Sequence, residues 1–324
     1  MSYQVKTPIL FMAFNRPDCT AQVFESIRSV KPRKLYVAID GPRPGRKDDV
    51  ENRNRVLEIV KNVDWDCESK YLIHDKNLGC SLSGVTAWRW FFGFEDRMLF
   101  IEDDGLGGDS AFWFMDEMLE RFKDDDRILN VGVDNFGLKQ GDSTYFFTRK
   151  SATTYFMGTW KRVLDKYDYD LSTYSGLKWK RSFQKHFVSL GEYLIATTNF
   201  DKYVKSVKEG RRENTYDLQL DYMAYKDDMY SVNPNYNLVS NIGFESGANT
   251  NYSKESKIYK EFANRKREVL SEIKHKEFSI DKDFELRYFE KKSLYGHYWL
   301  RIWLSNAMPN WMKMPLRWIK KIIK

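Results

Sequence analysis

The sequence lacks the patterns that mark disulfide-bonded and zinc-binding proteins. Its 324 residues include only 3 cysteines, and Cys19, Cys67 and Cys80 form no CxxC pair. An odd number of widely spaced cysteines argues against a disulfide framework and a zinc site, and it favours a reducing compartment. The 4 histidines also lack metal-ligand spacing, so we expect structural roles for them.

Two common nucleotide-binding motifs are also missing. No GxGxxG follows the first apolar run, residues 8–14, and no GxxxxGKS/T occurs anywhere in the chain. These absences remove the standard dinucleotide-binding and P-loop interpretations.

The first apolar run is short and no small-residue cleavage site follows it, so no secretory leader is expected. The chain has no internal repeat and no low-complexity linker, which favours one elaborated domain or two closely joined lobes.

Acidic residues are absent from one end of the chain. The formal net charge is +7, but residues 291–324 hold eight Lys or Arg and no Asp or Glu, and the remaining chain has a formal charge of −1. Basicity therefore belongs to one tail, which argues against nucleic acid as a partner of the body of the protein.

The same tail is rich in tryptophan. Trp299, Trp303, Trp311 and Trp318 alternate with basic residues, and apolar residues after Trp311 fall at helical spacing. This pattern is typical of a helix that lies in a membrane interface. The longest uncharged run, residues 302–312, is too short to span a bilayer. We expect the tail to bind an anionic membrane surface; the alternative is a helix packed on the protein's own core.

The first hundred residues alternate strand-like and helix-like segments. Apolar strand patterns cover residues 8–14, 34–39, 71–74 and 98–101, with helical patterns between them. This order predicts an α/β fold with an open, mostly parallel sheet, and ligands bind at the carboxyl ends of the strands in such sheets. The four strands are followed by Asn15-Arg16-Pro17, Asp40-Gly41-Pro42, Asp75-Lys76-Asn77 and Glu102-Asp103-Asp104. We expect all four to converge on one edge.

The second half is less regular. Its patterns predict a hairpin near residues 145–149, helices over 178–190 and 217–225, a strand over 230–232 and a loop over 241–251. Residues 253–292 are charged and low in Gly and Pro, which predicts a partly helical segment.

The acidic triplet Glu102-Asp103-Asp104 is the most informative feature. Four apolar residues lead directly into three carboxylates, and adjacent like charges are unfavourable unless a cation lies among them. Oxygen ligands suit Mg²⁺ or Mn²⁺, which enzymes of phosphate chemistry hold with one or two carboxylates and the substrate's phosphates. The alternative is a solvated acidic turn.

Six short motifs in order resemble one enzyme family. They are Asn15-Arg16-Pro17, Asp40-Gly41-Pro42-Arg43, Asn77-Leu78-Gly79, Glu102-Asp103-Asp104, Gly158-Thr159-Trp160-Lys161-Arg162 and Asn241-Ile242-Gly243-Phe244. Over residues 7–250 the chain resembles the GT-A-fold glycosyltransferases that use nucleotide sugars, bacterial surface-polysaccharide enzymes in particular. The resemblance implies a Rossmann-like sheet with helices on both faces. It implies a nucleotide-sugar-binding half at 1–105, an acceptor-binding half at 106–252 and a helical extension at 253–324.

The resemblance also implies roles for individual residues. Asp104 would bind the metal, Asp103 and Glu102 would address the ribose, and Asp40 would contact the uracil, unless it is only a turn residue. Arg16 and Lys76 would meet the nucleotide or its diphosphate, and Asn15 and Asn77 belong to the same binding set. The segment around Asp217 resembles the family's stretch with the catalytic base; Asp221, one helical turn on, is the second candidate, and helix capping is the alternative role of Asp217.

Two departures from the family pattern are visible. Gly105-Leu106-Gly107-Gly108 replaces a stiffer connection after the triplet, so a more mobile segment is expected there. Asn249 stands where the family has a histidine, a further metal or diphosphate ligand. Asn is acceptable to Mg²⁺ or Mn²⁺, so we include it as a candidate ligand.

The function predicted is an inverting, metal-dependent glycosyltransferase that uses a UDP-sugar. Its acceptor would be a lipid-linked or polysaccharide glycan at the cytoplasmic face of a bacterial cell membrane. One alternative is a sugar-1-phosphate nucleotidyltransferase, which would need a Gly-rich loop where this chain has Asn15-Arg16-Pro17. The other is a catalytically silent carbohydrate-binding or scaffold protein with the same fold.

Overall fold

The computed structural model describes residues 3–150, 154–211, 215–244 and 257–293. Asn249 and the tail, residues 294–324, lie outside these ranges, so the predictions for both stay predictions. Within the ranges just given, no helix is long and apolar enough to cross a membrane.

The first half folds as the alternating pattern predicts. Its elements in chain order are β1 (Ile9–Ala13), α1 (Pro17–Ser29), β2 (Lys34–Ile39), α2 (Lys47–Lys61), β3 (Glu68–Ile73), α3 (Gly79–Phe91) and β4 (Arg97–Glu102). β1 is buried along its whole length, as expected for a parallel strand covered on both faces. α1 has a proline at its start and buries Val23, Phe24 and Ile27 on one stripe, which is the spacing of a core-facing helix.

The second half contributes six more strands and seven more α-helices to the described residues. They are β5 (Gly105–Gly107), α4 (Asp109–Arg121), β6 (Ile128–Gly132), β7 (Tyr145–Thr148), β8 (Phe156–Trp160), α5 (Lys161–Leu164), α6 (Arg181–Gln184), α7 (Leu190–Lys208), α8 (Asp217–Lys226), β9 (Tyr230–Pro234), β10 (Val239–Asn241), α9 (Lys257–Phe262) and α10 (Lys282–Ser293).

Eight strands form one sheet in the order β3-β2-β1-β4-β8-β6-β9-β7. β1 pairs in parallel with both β2 and β4, whereas β8 and β7 run antiparallel to their neighbours. The predicted class, an open and mostly parallel α/β sheet, is confirmed. In the sheet, β2 and β3 lie on one side of β1, and β4 lies on the other side. Because crossover connections between parallel strands are right-handed, α1 and α2 lie on one face of the sheet and α3 lies on the other face.

Two predictions for the second half are wrong, and a third is confirmed in part. β7 does not form a hairpin; its antiparallel partner is β9, with Thr148 opposite Ser231. Residues 178–190 hold only the four-residue α6, and the long helix of this region is α7, which begins at Leu190. Residues 264–280 are irregular and lie between α9 and α10, so the partly helical prediction for 253–292 is confirmed only at those two helices.

The glycine segment after the triplet is a strand, contrary to the expected mobile connection. β5 pairs antiparallel with β10 in a separate two-stranded ribbon, with Gly105 opposite Asn241. A Cβ on Gly105 would lie 2.7 Å from the Tyr155 carbonyl oxygen, and one on Gly107 would lie 2.4 Å from a ring carbon of Phe156. Glycine is used here because two backbones and a buried ring approach closely, not because the chain must bend.

A second, smaller hydrophobic cluster lies outside the main core. Tyr174, Phe183, Phe200, Tyr203 and Tyr222 pack together around α7 and α8. Tyr203 donates a hydrogen bond to the Tyr169 carbonyl oxygen, which ties this helical cluster to the chain that follows β8.

Candidate active site

The carboxyl ends of the first four strands converge as predicted. They surround a cleft of about 410 Å³ that is lined by Phe14, Arg16, Asp40, Arg43, Asn77, Cys80, Glu102, Asp103 and Asp104 among others. The cleft lies where the strand order reverses between β1 and β4, which is the position at which open α/β sheets bind ligands.

Arg16 is held between two carboxylates at the centre of the cleft. Its Nη2 pairs with Oδ1 of Asp103, and its Nη1 lies 3.1 Å from Oδ2 of Asp104. Burial would lower the pKa of the Arg16 guanidinium, but Asp103 and Asp104 raise it, so the side chain remains a cation. One positive charge therefore faces three carboxylates.

The carboxylates are not fully neutralised by Arg16. Burial raises the pKa of Glu102 well above its usual range, and the charges of Asp104, Asp103 and Asp217 raise it further, against the opposing charge of Arg16. Burial also raises the pKa of Asp104, and its Oδ1 is a buried oxygen without a hydrogen-bond partner in the described residues. A second cation in the cleft would relieve this excess negative charge.

The described residues alone do not complete a metal site. Across residues 3–150, 154–211, 215–244 and 257–293, no group of three or more His, Cys, Asp or Glu side chains is arranged to hold a metal ion. Asp104 offers one oxygen, Oδ1, because its other oxygen accepts from Arg16. This donor set fits Mg²⁺ or Mn²⁺, which can be held by one carboxylate together with substrate phosphates and water.

Asp40 is committed to backbone contacts. Its Oδ1 accepts hydrogen bonds from the Gly41 and Leu78 amides at 2.8 and 2.9 Å, and its Oδ2 accepts from Gly79 N and Asn77 Nδ2 at 3.0 Å. Four donors use the capacity of a carboxylate. Asp40 therefore fixes the start of α3 against the end of β2, and Asn77 is part of the same contact. The predicted uracil contact stays a prediction.

The other two residues predicted to bind the nucleotide in the loops after β1 and β3 are Asn15 and Lys76, and the structure places them differently. Asn15 is buried and donates to Oδ1 of Asp49 at 2.6 Å. Arg43 donates from Nε and Nη2 to the same carboxylate at 2.6 and 2.7 Å, which joins the loops after β1 and β2. Lys76 has an exposed side chain, while its backbone packs on Gly41, where a Cβ would lie 2.2 Å from the Lys76 carbonyl carbon.

α8 presents Asp217 at the same edge of the sheet. Because α8 leads within a few residues into the parallel strand β9, its first turn lies near the carboxyl ends of the strands. Ser81 of α3 donates to the Thr215 carbonyl oxygen at 2.5 Å, and Tyr167 donates to the Tyr216 carbonyl oxygen at 2.7 Å. Asp217 is exposed, and its charge reaches both Glu102 and Cys80.

Asp221 has a different environment one turn further on. Lys150 Nζ lies 3.3 Å from its Oδ2. Burial would lower the pKa of Lys150, but the charges of Asp221 and Glu192 raise it. Asp221 is therefore engaged in a partly buried ion pair, whereas Asp217 is exposed at the start of α8, where its Oδ1 accepts from the Thr215 hydroxyl and the Leu218 amide.

The segment after β10 covers Asp104. The Ile242 amide donates to the Asp104 carbonyl oxygen at 2.9 Å. A Cβ on Gly243 would lie 2.4 Å from Oδ2 of Asp104 and 2.6 Å from Nη1 of Arg16. Gly243 thus packs directly on the ion pair, which explains why a residue without a side chain occupies this position.

A polar cluster close to Asp104 consists of three residues that the sequence patterns do not single out, Asp134, Tyr155 and Arg265. Asp134 follows β6, accepts from Tyr155 Oη at 3.3 Å and pairs with Arg265. Burial raises the pKa of Tyr155 well above its usual range, and the charges of Asp134 and Asp104 add to this. The apolar run of β6 followed by Asp134-Asn135 is a signal that could have been read, since it repeats the pattern of β4 and the triplet.

A larger cavity, of about 720 Å³, lies at the opposite edge of the sheet. Its lining includes Trp160, the last residue of β8, and Arg162 of α5. β8 runs antiparallel to β4, with Trp160 opposite Arg97 at the start of β4. Arg162 donates to the carbonyl oxygens of Phe122, Asp125 and Ile128. These contacts hold the chain after α4, so this motif is structural and lies away from the carboxylates.

Comparisons with known proteins give low similarity. No family model matches the sequence, and no curated protein matches it. A crystal structure of residues 1–349 of S. aureus TarS is 11% identical, with a TM-score of 0.34 over 50% of this chain and 48% of that one. This chain thus spans about half the length of that structure.

Two further solved structures show similar levels of likeness. A cytidylyltransferase from Leptospira borgpetersenii is 12% identical, with a TM-score of 0.31 over 51% of this chain and 64% of that one. A UDP-glucose pyrophosphorylase complexed with UDP-glucose is 9% identical, with a TM-score of 0.36 over 72% of this chain and 93% of that one. Because all three TM-scores are this low, the three structures do not indicate what the cleft does. Its function has to be argued from its own residues.

Proposed function

We propose that the cleft binds a nucleotide sugar and that the protein is an inverting, metal-dependent glycosyltransferase. The observation that carries this proposal is the unpartnered, buried Oδ1 of Asp104 beside Arg16, at the reversal of strand order. A diphosphate bridged by Mg²⁺ or Mn²⁺ supplies both charges that this arrangement lacks, a cation for Asp104 and an anion for Arg16.

The start of α3 supports binding of the diphosphate. α3 has 13 residues, and its first residues, Gly79 and Cys80, line the cleft. A helix N-terminus carries a partial positive charge and favours phosphate oxygens. Asp103 and Glu102 would accept the ribose hydroxyls, and Asn15 and Asp40 hold the surrounding loops in place. A UDP-sugar is the donor proposed, as the family resemblance implies.

Asp217 is the proposed general base. The acceptor hydroxyl transfers its proton to the Asp217 carboxylate while its oxygen bonds to the anomeric carbon. The bond from that carbon to the diphosphate breaks, and the nucleoside diphosphate leaves with the electron pair. The developing negative charge is stabilised by Arg16 and the start of α3, and a bound divalent cation would add to this stabilisation. The ion pair of Asp221 with Lys150 makes Asp221 the weaker candidate.

The acceptor proposed is a lipid-linked or polysaccharide glycan. The rival functions are a sugar-1-phosphate nucleotidyltransferase and a silent carbohydrate-binding protein. The three differ in their products. Transfer or hydrolysis of a UDP-sugar releases UDP, whereas a nucleotidyltransferase given UTP and a sugar 1-phosphate releases pyrophosphate. A silent protein would bind the nucleotide and release neither product.

The test separates binding from turnover in two variants. Nucleotide binding is measured by calorimetry with a panel of UDP-sugars, with and without Mn²⁺, and turnover by release of UDP. We expect Asp104→Asn to lose Mn²⁺-dependent binding. We expect Asp217→Asn to bind the donor normally and to lose roughly 10²–10⁴-fold in rate, because the proton acceptor is removed.

Two matched variants serve as controls. Asp75→Asn changes an exposed carboxylate after β3 and should alter neither quantity, and Asp221→Asn should leave a larger rate than Asp217→Asn. Full activity after exhaustive chelation would contradict metal dependence. Pyrophosphate release without UDP release would replace this proposal with the nucleotidyltransferase.

A further inference from the structure

A groove of about 440 Å³ lies on the helical cluster, away from the cleft. One side is formed by the chain around Lys178 and Trp179 and the other by the second half of α7, where Asp201, Lys205 and Lys208 fall on one helix face. Its floor is the buried Tyr174 ring, whose hydroxyl donates to the Thr197 carbonyl oxygen at 3.1 Å. The groove is therefore built on a packed core.

Trp179 is exposed to an extent that packing does not explain. The residue is 73% exposed, although large apolar side chains normally contribute to a core. Lys178 Nζ lies 4.9 Å from the centroid of the Trp179 ring and pairs with Oδ2 of Asp201. A cation on the ring restrains its position and leaves an aromatic surface at the groove, onto which the C–H face of a sugar ring can stack.

The groove lies in a basic stretch of the chain. Residues 171–211 contain eight Lys or Arg and three Asp or Glu. One of the three acids, Glu192, is buried and accepts a hydrogen bond from Tyr225 at 2.8 Å. The stretch therefore has a formal charge of +5, whereas the chain without residues 291–324 is nearly neutral as a whole. The groove itself is lined by three lysines, Lys178, Lys205 and Lys208, and by one aspartate, Asp201. Its formal charge is therefore +2, and a concave surface with an excess of positive charge concentrates anionic ligands.

We propose that this groove binds an anionic polysaccharide, and that it does so independently of the activity of the cleft. Such a chain offers the three features that the groove matches: an apolar ring face for Trp179, negative groups for Lys205 and Lys208, and hydroxyls for Asp201. The Asp201 side chain is 48% exposed, so it can accept hydroxyl donors, which acyl chains do not supply. A lipid surface would also favour several protruding apolar side chains over one tryptophan in a concavity.

The experiment measures binding of the full-length protein to polygalacturonate, to neutral dextran and to inorganic polyphosphate. We expect binding to polygalacturonate and little to dextran. Trp179→Ala should raise the dissociation constant for polygalacturonate about tenfold and leave that for polyphosphate unchanged, because polyphosphate has no sugar ring. Trp179→Tyr should retain most of the affinity. The double change Lys205→Gln and Lys208→Gln should weaken both anionic polymers and reduce the salt dependence.

The control is a double change of Lys47 and Lys61 to Gln, two exposed lysines of α2, which should leave binding unchanged. Because Trp179 is exposed, its variants should keep the melting temperature of the parent. Equal polygalacturonate affinity of the parent and Trp179→Ala would overturn the proposal. So would a Trp179-dependent sedimentation with phosphatidylglycerol vesicles in the absence of polygalacturonate binding, which would assign the groove to a membrane.

Discussion

At the scale of single residues, Asp49 controls the shape of the cleft without lining it. It is fully buried and accepts hydrogen bonds from Asn15 and Arg43. The hydrogen bond from Arg43 lowers the pKa of Asp49 to about 2. An ionised carboxylate in this position therefore fixes the loops that follow β1 and β2.

Asp49→Asn should destabilise the protein in a pH-dependent way. Because the Arg43 side chain is 34% exposed, part of the loss is screened, and we expect about 2 kcal/mol at pH 7. The folded pKa is below the unfolded value of about 3.9, so the stabilisation is present above pH 4 and is lost as the pH falls towards 2. Urea unfolding at several pH values measures this difference. Asp75→Asn, at an exposed carboxylate after β3, should show none.

The residues of the cleft differ in how far the sequence predicts them. Arg16 and the triplet could be predicted because each follows a contiguous apolar strand. Tyr155 and Arg265 could not, because Tyr155 lies just before the antiparallel strand β8 and Arg265 lies in an irregular segment. Arg265 is 131 residues away in the chain from its partner Asp134. The four hydrogen-bond donors to Asp40 also cannot be predicted from the sequence. An aspartate that stabilises a turn and an aspartate that contacts a nucleobase have the same neighbouring residues.

At the scale of elements, the ribbon of β5 and β10 places the triplet under the segment that ends in Gly243. Gly107 is opposite Val239 in this ribbon and faces the buried ring of Phe156. Gly107→Ala should destabilise the protein by about 1–3 kcal/mol, because the ring has no space into which to move. It should also weaken nucleotide binding, because the ribbon positions Asp104.

Thermal unfolding and calorimetry with UDP test this expectation. Gly176→Ala is the matched control, since no heavy atom lies within 4 Å of the position that the added methyl group would take, and it should leave both quantities unchanged. If the Gly107 variant kept the stability and the affinity of the parent, the ribbon would not be the element that positions the triplet.

Elements with local partners could be predicted, and elements with distant partners could not. The first half alternates strands and crossover helices, so its order follows from pattern alone. The local pattern around β7 predicts a hairpin, which needs a partner strand nearby in the chain. The actual partner, β9, lies more than 80 residues away. The sequence pattern does not predict α7, because the interior of this helix contains Thr197 and Thr198, which have low helix propensity. The signal available was Ser189, which caps the helix by accepting from the Glu192 amide at 3.1 Å.

At the scale of the whole molecule, two stretches of the chain, residues 171–211 and the tail, carry a net positive charge. The cleft, in contrast, is acidic at its centre, where the triplet faces one arginine. In such a protein, a polyanionic or membrane-bound acceptor would bind at the basic stretches. The carboxylates of the cleft would bind a cation and the nucleotide-sugar donor. This separation predicts that binding to anionic surfaces and binding of nucleotide can be removed independently.

Deletion of residues 294–324 tests that independence. Each Lys or Arg near an anionic bilayer contributes roughly 1 kcal/mol, screened over a Debye length, and the tail adds tryptophans that insert into the interface. We expect the truncated protein to bind nucleotide as the parent does and to lose most of its sedimentation with phosphatidylglycerol vesicles. High salt should release the full-length protein only in part, because the apolar contribution remains. Equal sedimentation of the two proteins would show that the tail packs on the protein itself.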